Sequence, residues 1–169
     1  ENRQRRLRER FEVEALIDSL TGLFNRRAWD RLLAAEEGRC QRYGLAATIF
    51  ILGLNDLKKI NDQFGHAQGD ILIQKTAEFL QQNMRSNDVI ARIGGDEFVI
   101  GSILTPQELY ENLNFKIEDF KYQTSIQLGS PITISCGIIS AEQFTYDNIK
   151  KADEVMKYNH IEWTDFTVS

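Results

Sequence analysis

Two short polar clusters carry the side chains best suited to chemistry. The first is Gly94-Gly95-Asp96-Glu97. Two glycines let a backbone come close to a ligand, and two adjacent carboxylates could hold a divalent metal. The same tetrapeptide also reads as a tight hairpin turn with polar residues facing water. The second cluster runs from Asn61 to Asp70, Asn-Asp-Gln-Phe-Gly-His-Ala-Gln-Gly-Asp. In one reading Asp70 is the N-cap of the following helix, and Gly65 and Gly69 are turn residues. In the other, Asn61 and Asp70 read the edge of a purine. An amide offers both a donor and an acceptor, and a carboxylate accepts from guanine N1 and N2. A GxxxxGK[ST] phosphate loop is absent from the chain.

The elements that must position these clusters follow from the apolar pattern. Residues 1–17 contain no Gly or Pro, and Leu7, Phe11, Val13 and Leu16 form a thin stripe at helical spacing. So narrow a stripe suits either a coiled-coil seam with a second copy or a solvated helical extension. Asp18-Ser-Leu-Thr-Gly22 breaks it with turn formers. Asn25 to Arg42 reads as a helix, and Leu45 to Leu54 as a buried central strand. Asp70 to Met84 is the next helix. Val89–Ile93 and Phe98–Ile103 flank the Gly-Gly-Asp-Glu turn as a hairpin. Pro106 opens a helix running to about Gln127. Ile132 to Ser140 alternates as a half-buried strand, and Tyr146 to Tyr158 is a last helix. The expected fold class is α+β, with a mostly antiparallel sheet flanked by helices. Residues 1–17 are expected to be an N-terminal signalling helix and 18–169 one globular domain.

Composition limits what such a fold can do. The chain has 169 residues with 42% hydrophobic and 27% charged, ordinary for one globular domain. Residues 1–10 hold five arginines against two glutamates, net +3, which leaves −8 on the remaining 159 of a chain whose total is −5. That acidic balance, with a pI of about 5.1, argues against coating nucleic acid. Cys40 and Cys136 lie far apart, and with two histidines they offer neither a zinc site nor a disulfide framework. The longest apolar stretch, Leu45–Leu54, is too short to span a bilayer. The cytoplasm is the expected compartment. The chain begins without Met and reads as a piece of a longer protein, expected to carry an upstream sensor domain.

Taken in order, the motifs resemble the GGDEF domains of the diguanylate cyclase family. They are Asp18-Ser-Leu-Thr-Gly-Leu-Phe-Asn-Arg-Arg27, Lys58-Lys-Ile-Asn-Asp62, Gly65-His66, Gly69-Asp70 and Ala91-Arg-Ile-Gly-Gly-Asp-Glu-Phe98. Ser135-Cys-Gly137 and Ala152-Asp153 follow at family spacing, so the resemblance runs from Asp18 to about Tyr158. It implies a central sheet like the palm of nucleotide cyclases and polymerases. It also implies the condensation of two GTP into cyclic di-GMP across a two-fold axis, helped by Mg²⁺ or Mn²⁺. By the same resemblance Asn61 and Asp70 read guanine and Lys58 touches phosphate. Asp96 and Glu97 are metal ligands, one of them also a base, and the Gly94–Gly95 turn lies under the phosphates. Arg85-Ser-Asn-Asp88, with five residues between it and Gly94, matches the family's Arg-x-x-Asp product-inhibition site. Arg92 is expected to add a contact there. The plainer reading of Arg85 and Asp88 is an exposed ion pair on a surface turn.

The chain also departs from the family pattern. The family strand ends Asp-Ile-Asp ahead of Phe-Lys-x-Ile-Asn-Asp, which puts Gly53 and Asn55 where those aspartates stand. The first aspartate is a principal metal ligand, and Gly53 has no side chain to replace it. Asp56 lies in the opposite register, although Gly53 would permit a bulge that turns it inward. Further on, His160 and Thr164 occupy the positions of a lysine and an arginine that neutralise the terminal phosphates. Three functions follow: a weak or inactive domain that binds cyclic di-GMP or GTP as a regulatory module, a working cyclase, or a ligand-free dimerisation domain. The departures at Gly53 and His160 favour the first over the second. Arg85, Asp88, Asn61 and Asp70 favour it over the third.

Overall fold

The computed structural model describes residues 2–32 and 47–141. Helix α1 covers Asn2–Glu14, its Arg5 paired to Glu9 one turn later at 3.0 Å. Chain reversal follows at Asp18. The Asp18 carbonyl accepts from Gly22 N, the Asp18 amide donates to Leu23 O, and Gly22 takes φ of +74°. Asn25 then caps helix α2 (26–32), its Oδ1 accepting from Ala28 N at 3.0 Å. The expected helix Asn25–Arg42 is thus helical over 26–32, and its remainder lies outside the described residues, as does the expected helix Tyr146–Tyr158.

Strand β1 (Ala47–Leu54) is central, as its continuous apolar run predicts. It pairs antiparallel with β3 (Glu97–Ser102) on one side and β4 (Ile134–Ala141) on the other. Strand β2 (Val89–Arg92) pairs antiparallel with β3, giving the order β2-β3-β1-β4. The pleat sends Phe50, Leu52 and Leu54 to one face, where they join Phe98, Ile100, Ile134, Cys136 and Ile138 in one core cluster. Ile49, Ile51 and Val99, on the opposite face, are equally buried. The expectation of a half-buried β4 is corrected here: residues 134–138 are all buried, Ser135 among them.

Three helices close the first face. Between β1 and the second of them runs α3 (Leu57–Phe64), a stretch assigned no element from its sequence. It is only eight residues long, yet Leu57, Ile60 and Phe64 recur at helical spacing, Ile60 buried and Leu57 packed on the core, so the period is present in the sequence and was passed over. Gly65, with φ +91° and ψ 160°, is the one-residue elbow to α4 (His66–Asn83). The helix expected to begin at Asp70 therefore begins four residues earlier, and Asp70 is not its N-cap. Leu72, Ile73, Ala77 and Leu80 of α4 enter the core cluster. Helix α5 (Pro106–Leu128) brings Leu109, Leu113 and Ile117 to the same cluster. Thr105 caps α5 in a reciprocal box with Glu108, and Gly129 ends it at φ +73°.

Candidate functional site

The Gly94–Glu97 turn joins β2 to β3 and is tied to the end of β1. Ile93 N donates to Glu97 O at 3.0 Å, and Leu54 N donates to Asp96 O at 2.9 Å. Neither Gly94 nor Gly95 has positive φ. A Cβ on Gly95 would meet nothing within 4 Å, and one on Gly94 only ordinary contacts with Glu97 from 3.6 Å. The backbone therefore does not demand glycine at either position. What the two glycines leave is open space over the turn, as both a ligand-binding turn and a hairpin facing water would have. Gly94, Gly95 and Asp96 are exposed, and Glu97 is half-buried.

Gly53 is the residue directly opposite Glu97 on β1, and directly opposite Ser135 on β4. The register continues unbroken to Leu54↔Ile134, so the bulge that would turn Asp56 inward is not formed. Instead Asp56 Oδ2 accepts from Thr133 Oγ1 at 2.6 Å, and Asn55 Oδ1 accepts from Ser135 Oγ at 2.9 Å. Both side chains at the strand end are thus committed to the β4 side. Among the described residues no group of three or more His, Cys, Asp or Glu side chains is placed to hold a metal ion. Asp96 and Glu97 are the two carboxylates at the turn, one fewer than the family set because of Gly53, and a Mg²⁺ or Mn²⁺ ion there would rest on them and on substrate phosphates.

Beside the strand end lies an open cleft of about 540 Å³, lined by Asn55, Asp56, Lys58, Lys59, Asp62 and Gln63. Lys58 is exposed there. On the far side of α3, Asn61 is half-buried, and its Oδ1 is fully buried without a hydrogen-bond partner. The Gly65 elbow folds α4 back so that Gly69 packs against this amide, and Asp70 stands next to it, exposed. Asn61 and Asp70 are therefore brought together.

Arg85 to Asp88 forms a compact turn between α4 and β2. Asp88 N donates to Arg85 O, and Asp88 Oδ2 accepts from Arg85 N, both at 3.0 Å. The second carboxylate oxygen, Oδ1, is buried with no partner, while Arg85 is exposed. The expected surface ion pair is not formed; the carboxylate binds backbone instead. Arg92 is engaged elsewhere. Its Nη1 donates to Asp18 Oδ1 at 3.1 Å, and its Nη2 donates to Gly95 O at 2.9 Å. A role for Arg92 beside Arg85 and Asp88 would require those bonds to be given up.

Sequence reasoning assigned no role to Asp18, although Asp18-Ser-Leu-Thr was among the motifs. Its carboxylate accepts from Thr21 Oγ1 at 2.7 Å and Thr21 N at 2.9 Å, besides Arg92. Burial pushes its pKa up, but the Thr21 hydroxyl, the Thr21 N–H and the Arg92 guanidinium together hold it below the ordinary carboxylate value. Burial, joined by the charge of Glu118, pushes the Cys136 thiol far up, which makes it inert packing. His160 and Thr164 lie outside the described residues. Among the described residues no helix is long and apolar enough to cross a membrane.

The family model for the diguanylate cyclase GGDEF domain matches residues 15–160. The chain is 40% identical over 101 residues to the probable diguanylate cyclase DgcC of Escherichia coli, covering 60% of this chain and 27% of the relative. It is 35% identical over 119 residues to the cyclic di-GMP phosphodiesterase NbdA of Pseudomonas aeruginosa, covering 61% of this chain and 15% of that protein. The chain thus spans about a quarter or less of each. The coiled coil and GGDEF domain of DgcB from Caulobacter crescentus, solved with cyclic di-GMP, superposes with a TM-score of 0.79 at 24% identity, covering 92% of this chain and 86% of that one. With its palm-like antiparallel sheet and its Gly-Gly-Asp-Glu turn, the chain belongs to the GGDEF family of cyclic di-GMP signalling.

Proposed function

We propose that this domain is a weak or inactive diguanylate cyclase that works as a regulatory module, binding cyclic di-GMP at Arg85 and Asp88 and GTP at Asn61 and Asp70. The observation that carries the reading is Gly53 in unbroken register opposite Glu97. It puts a residue without a side chain where the family holds a metal-binding carboxylate. Without that ligand, a metal ion that would offset the charge building on the α-phosphate and lower the pKa of the attacking hydroxyl is held less firmly. Asp96, Glu97 and Lys58 keep family identities, and on this reading they contact phosphate without completing catalysis. The domain works in the cytoplasm, where GTP is available, as part of a longer protein with an upstream sensor. The relatives DgcC and NbdA, with opposite named activities, fit a domain used in more than one setting.

The direct test incubates purified protein with GTP and Mg²⁺ or Mn²⁺ and resolves the products by chromatography. Little or no cyclic di-GMP is expected. Robust turnover, comparable to an intact family member, makes the domain a working cyclase instead.

The receptor half rests on Arg85 and Asp88. Asp88 is half-buried and its Oδ1 has no hydrogen-bond partner, so a shift of this turn would offer an acceptor to guanine N1 and N2, donors that adenine does not present in that pattern. Arg85 is exposed beside it and supplies a planar fork for a guanine edge or a phosphate. A charge-assisted contact is worth roughly 1.5–3 kcal/mol, so Arg85→Ala should weaken cyclic di-GMP binding by about one to two decades. Asp96→Ala should leave it nearly unchanged, because the turn belongs to the other site. Titration calorimetry on the three proteins decides this. Parent-like binding by Arg85→Ala, or no heat from the parent, favours a ligand-free dimerisation domain.

A further inference from the structure

We infer that Gly69 is the residue that seats Asn61 for nucleobase reading, and that its missing side chain, rather than any turn it makes, is what base selectivity requires. This rests on the reading that a guanine occupies Asn61 and Asp70. Gly69 is not a turn residue. It lies inside α4, is buried, and has no positive φ. A glycine inside a helix weakens it relative to alanine, so something other than the helix must favour it here. That something is the Asn61 amide. A Cβ on Gly69 would stand 1.7 Å from Asn61 Oδ1, 2.8 Å from its Cγ and 3.4 Å from its Nδ2. No side chain fits at 69 while Asn61 keeps this position.

The geometry that forces the contact is local. Asn61 sits on α3, and its carbonyl accepts from Gly65 N at 2.9 Å. Gly65 then reverses the chain at φ +91°, so the first turn of α4 comes back over the amide. Pressed against the bare Cα of Gly69, Oδ1 is held buried and unpartnered. With Oδ1 taken up against Gly69, the amide is fixed in orientation and Nδ2, which is not among the buried unpartnered atoms, is the end left to donate to a base. Asp70, the next residue, is exposed and adds its carboxylate on the same turn. An alanine at 69 need not unfold the helix, because the obstructing atoms are the end of a side chain. It must swing the Asn61 amide out of its seat.

The test is a double-mutant cycle on Gly69→Ala, Asn61→Ala and the pair, with GTP and ATP as probes in calorimetry. The Asn61 side-chain amide signals are followed in a ¹⁵N spectrum without nucleotide. Gly69→Ala is expected to shift those signals and to erase about tenfold of the preference for GTP over ATP, the effect of one lost hydrogen bond. In the Asn61→Ala background, where the obstructing amide is gone, Gly69→Ala should change nothing further. Equal losses in both backgrounds overturn the inference and make Gly69 a packing residue; unshifted amide signals also overturn it. A parent with no preference for GTP defeats the guanine reading, while the amide signals still judge the seat.

Discussion

A missing carboxylate at Gly53 changes the electrostatics of the turn as well as its chemistry. Directly opposed residues on antiparallel strands put their side chains on one face, with Cβ atoms about 4.5–5.5 Å apart. Gly53 and Glu97 are such a pair. Gly53→Asp would therefore set two carboxylates face to face, which is unfavourable without a cation and favourable with one. The variant should melt below the parent in the absence of metal and recover with Mg²⁺, and its GTP affinity should become Mg²⁺-dependent. A melting temperature indifferent to Mg²⁺ would mean that the site is defective beyond Gly53. At this scale the sequence was informative about identity and silent about company. Asn61, Asp70, Arg85 and Asp88 were all named from motif and side-chain chemistry. That Asp88 turns one oxygen onto its own loop, and that Asn61 leans on Gly69, depends on neighbours that only the folded chain supplies.

Between elements, the contact with the widest reach is Asp18 with Arg92. It joins the loop after α1 to the end of β2, and through Gly95 O to the Gly-Gly-Asp-Glu turn, across 74 residues of sequence. The segment Ile17–Phe24 also bridges to Ala91, and Arg92 N donates to Phe24 O at 2.8 Å. The strut therefore adds to backbone pairing at the sheet edge. Both side chains are mostly buried, so the pair is screened little by solvent. Asp18 is held below its ordinary pKa of 3.8 when folded. A carboxylate lowered on folding contributes stability that is complete above the ordinary value and is lost as the pH falls through the folded one. Asp18→Asn should accordingly be less stable than the parent at neutral pH by about 1.5–3 kcal/mol, the range for hydrogen bonds to charged groups. The gap should narrow as the pH falls below the ordinary value of 3.8 and through the lower folded one. Urea melts of both proteins at neutral and acid pH measure it. A gap that persists at low pH would show that the charge of Asp18 is not the cause. The long apolar runs of β1 and β3 were legible in sequence because burial demands them; α3 is legible too, through Leu57, Ile60 and Phe64 at helical spacing, but its polar residues drew the reading to their chemistry instead.

For the molecule as a whole, we propose that α1 joins two copies, with residues 1–17 as signalling helix and 18–169 as the domain it serves. Leu7 is 45% exposed on a helix that carries four other arginines besides the Arg5 paired to Glu9. A seam this thin between two such helices has modest apolar attraction set against like-charge repulsion. Added salt screens the repulsion and leaves the apolar term, so dimerisation should strengthen with ionic strength. Leu7→Asp should leave a monomer at any salt. Sedimentation velocity at low and high salt decides it, and a parent monomeric throughout removes α1 as the joint.

By itself the sequence determined the family, the strand cores and the identity of each candidate site residue, because burial and motif chemistry are written in residue type and spacing. Tertiary structure alone decided how those residues meet. The unbroken register that sets Gly53 against Glu97, the elbow that lays Gly69 on Asn61, and the capture of Arg92 by Asp18 all join positions apart in the chain. Residue type says what a group can bond, but packing selects which partner comes within reach.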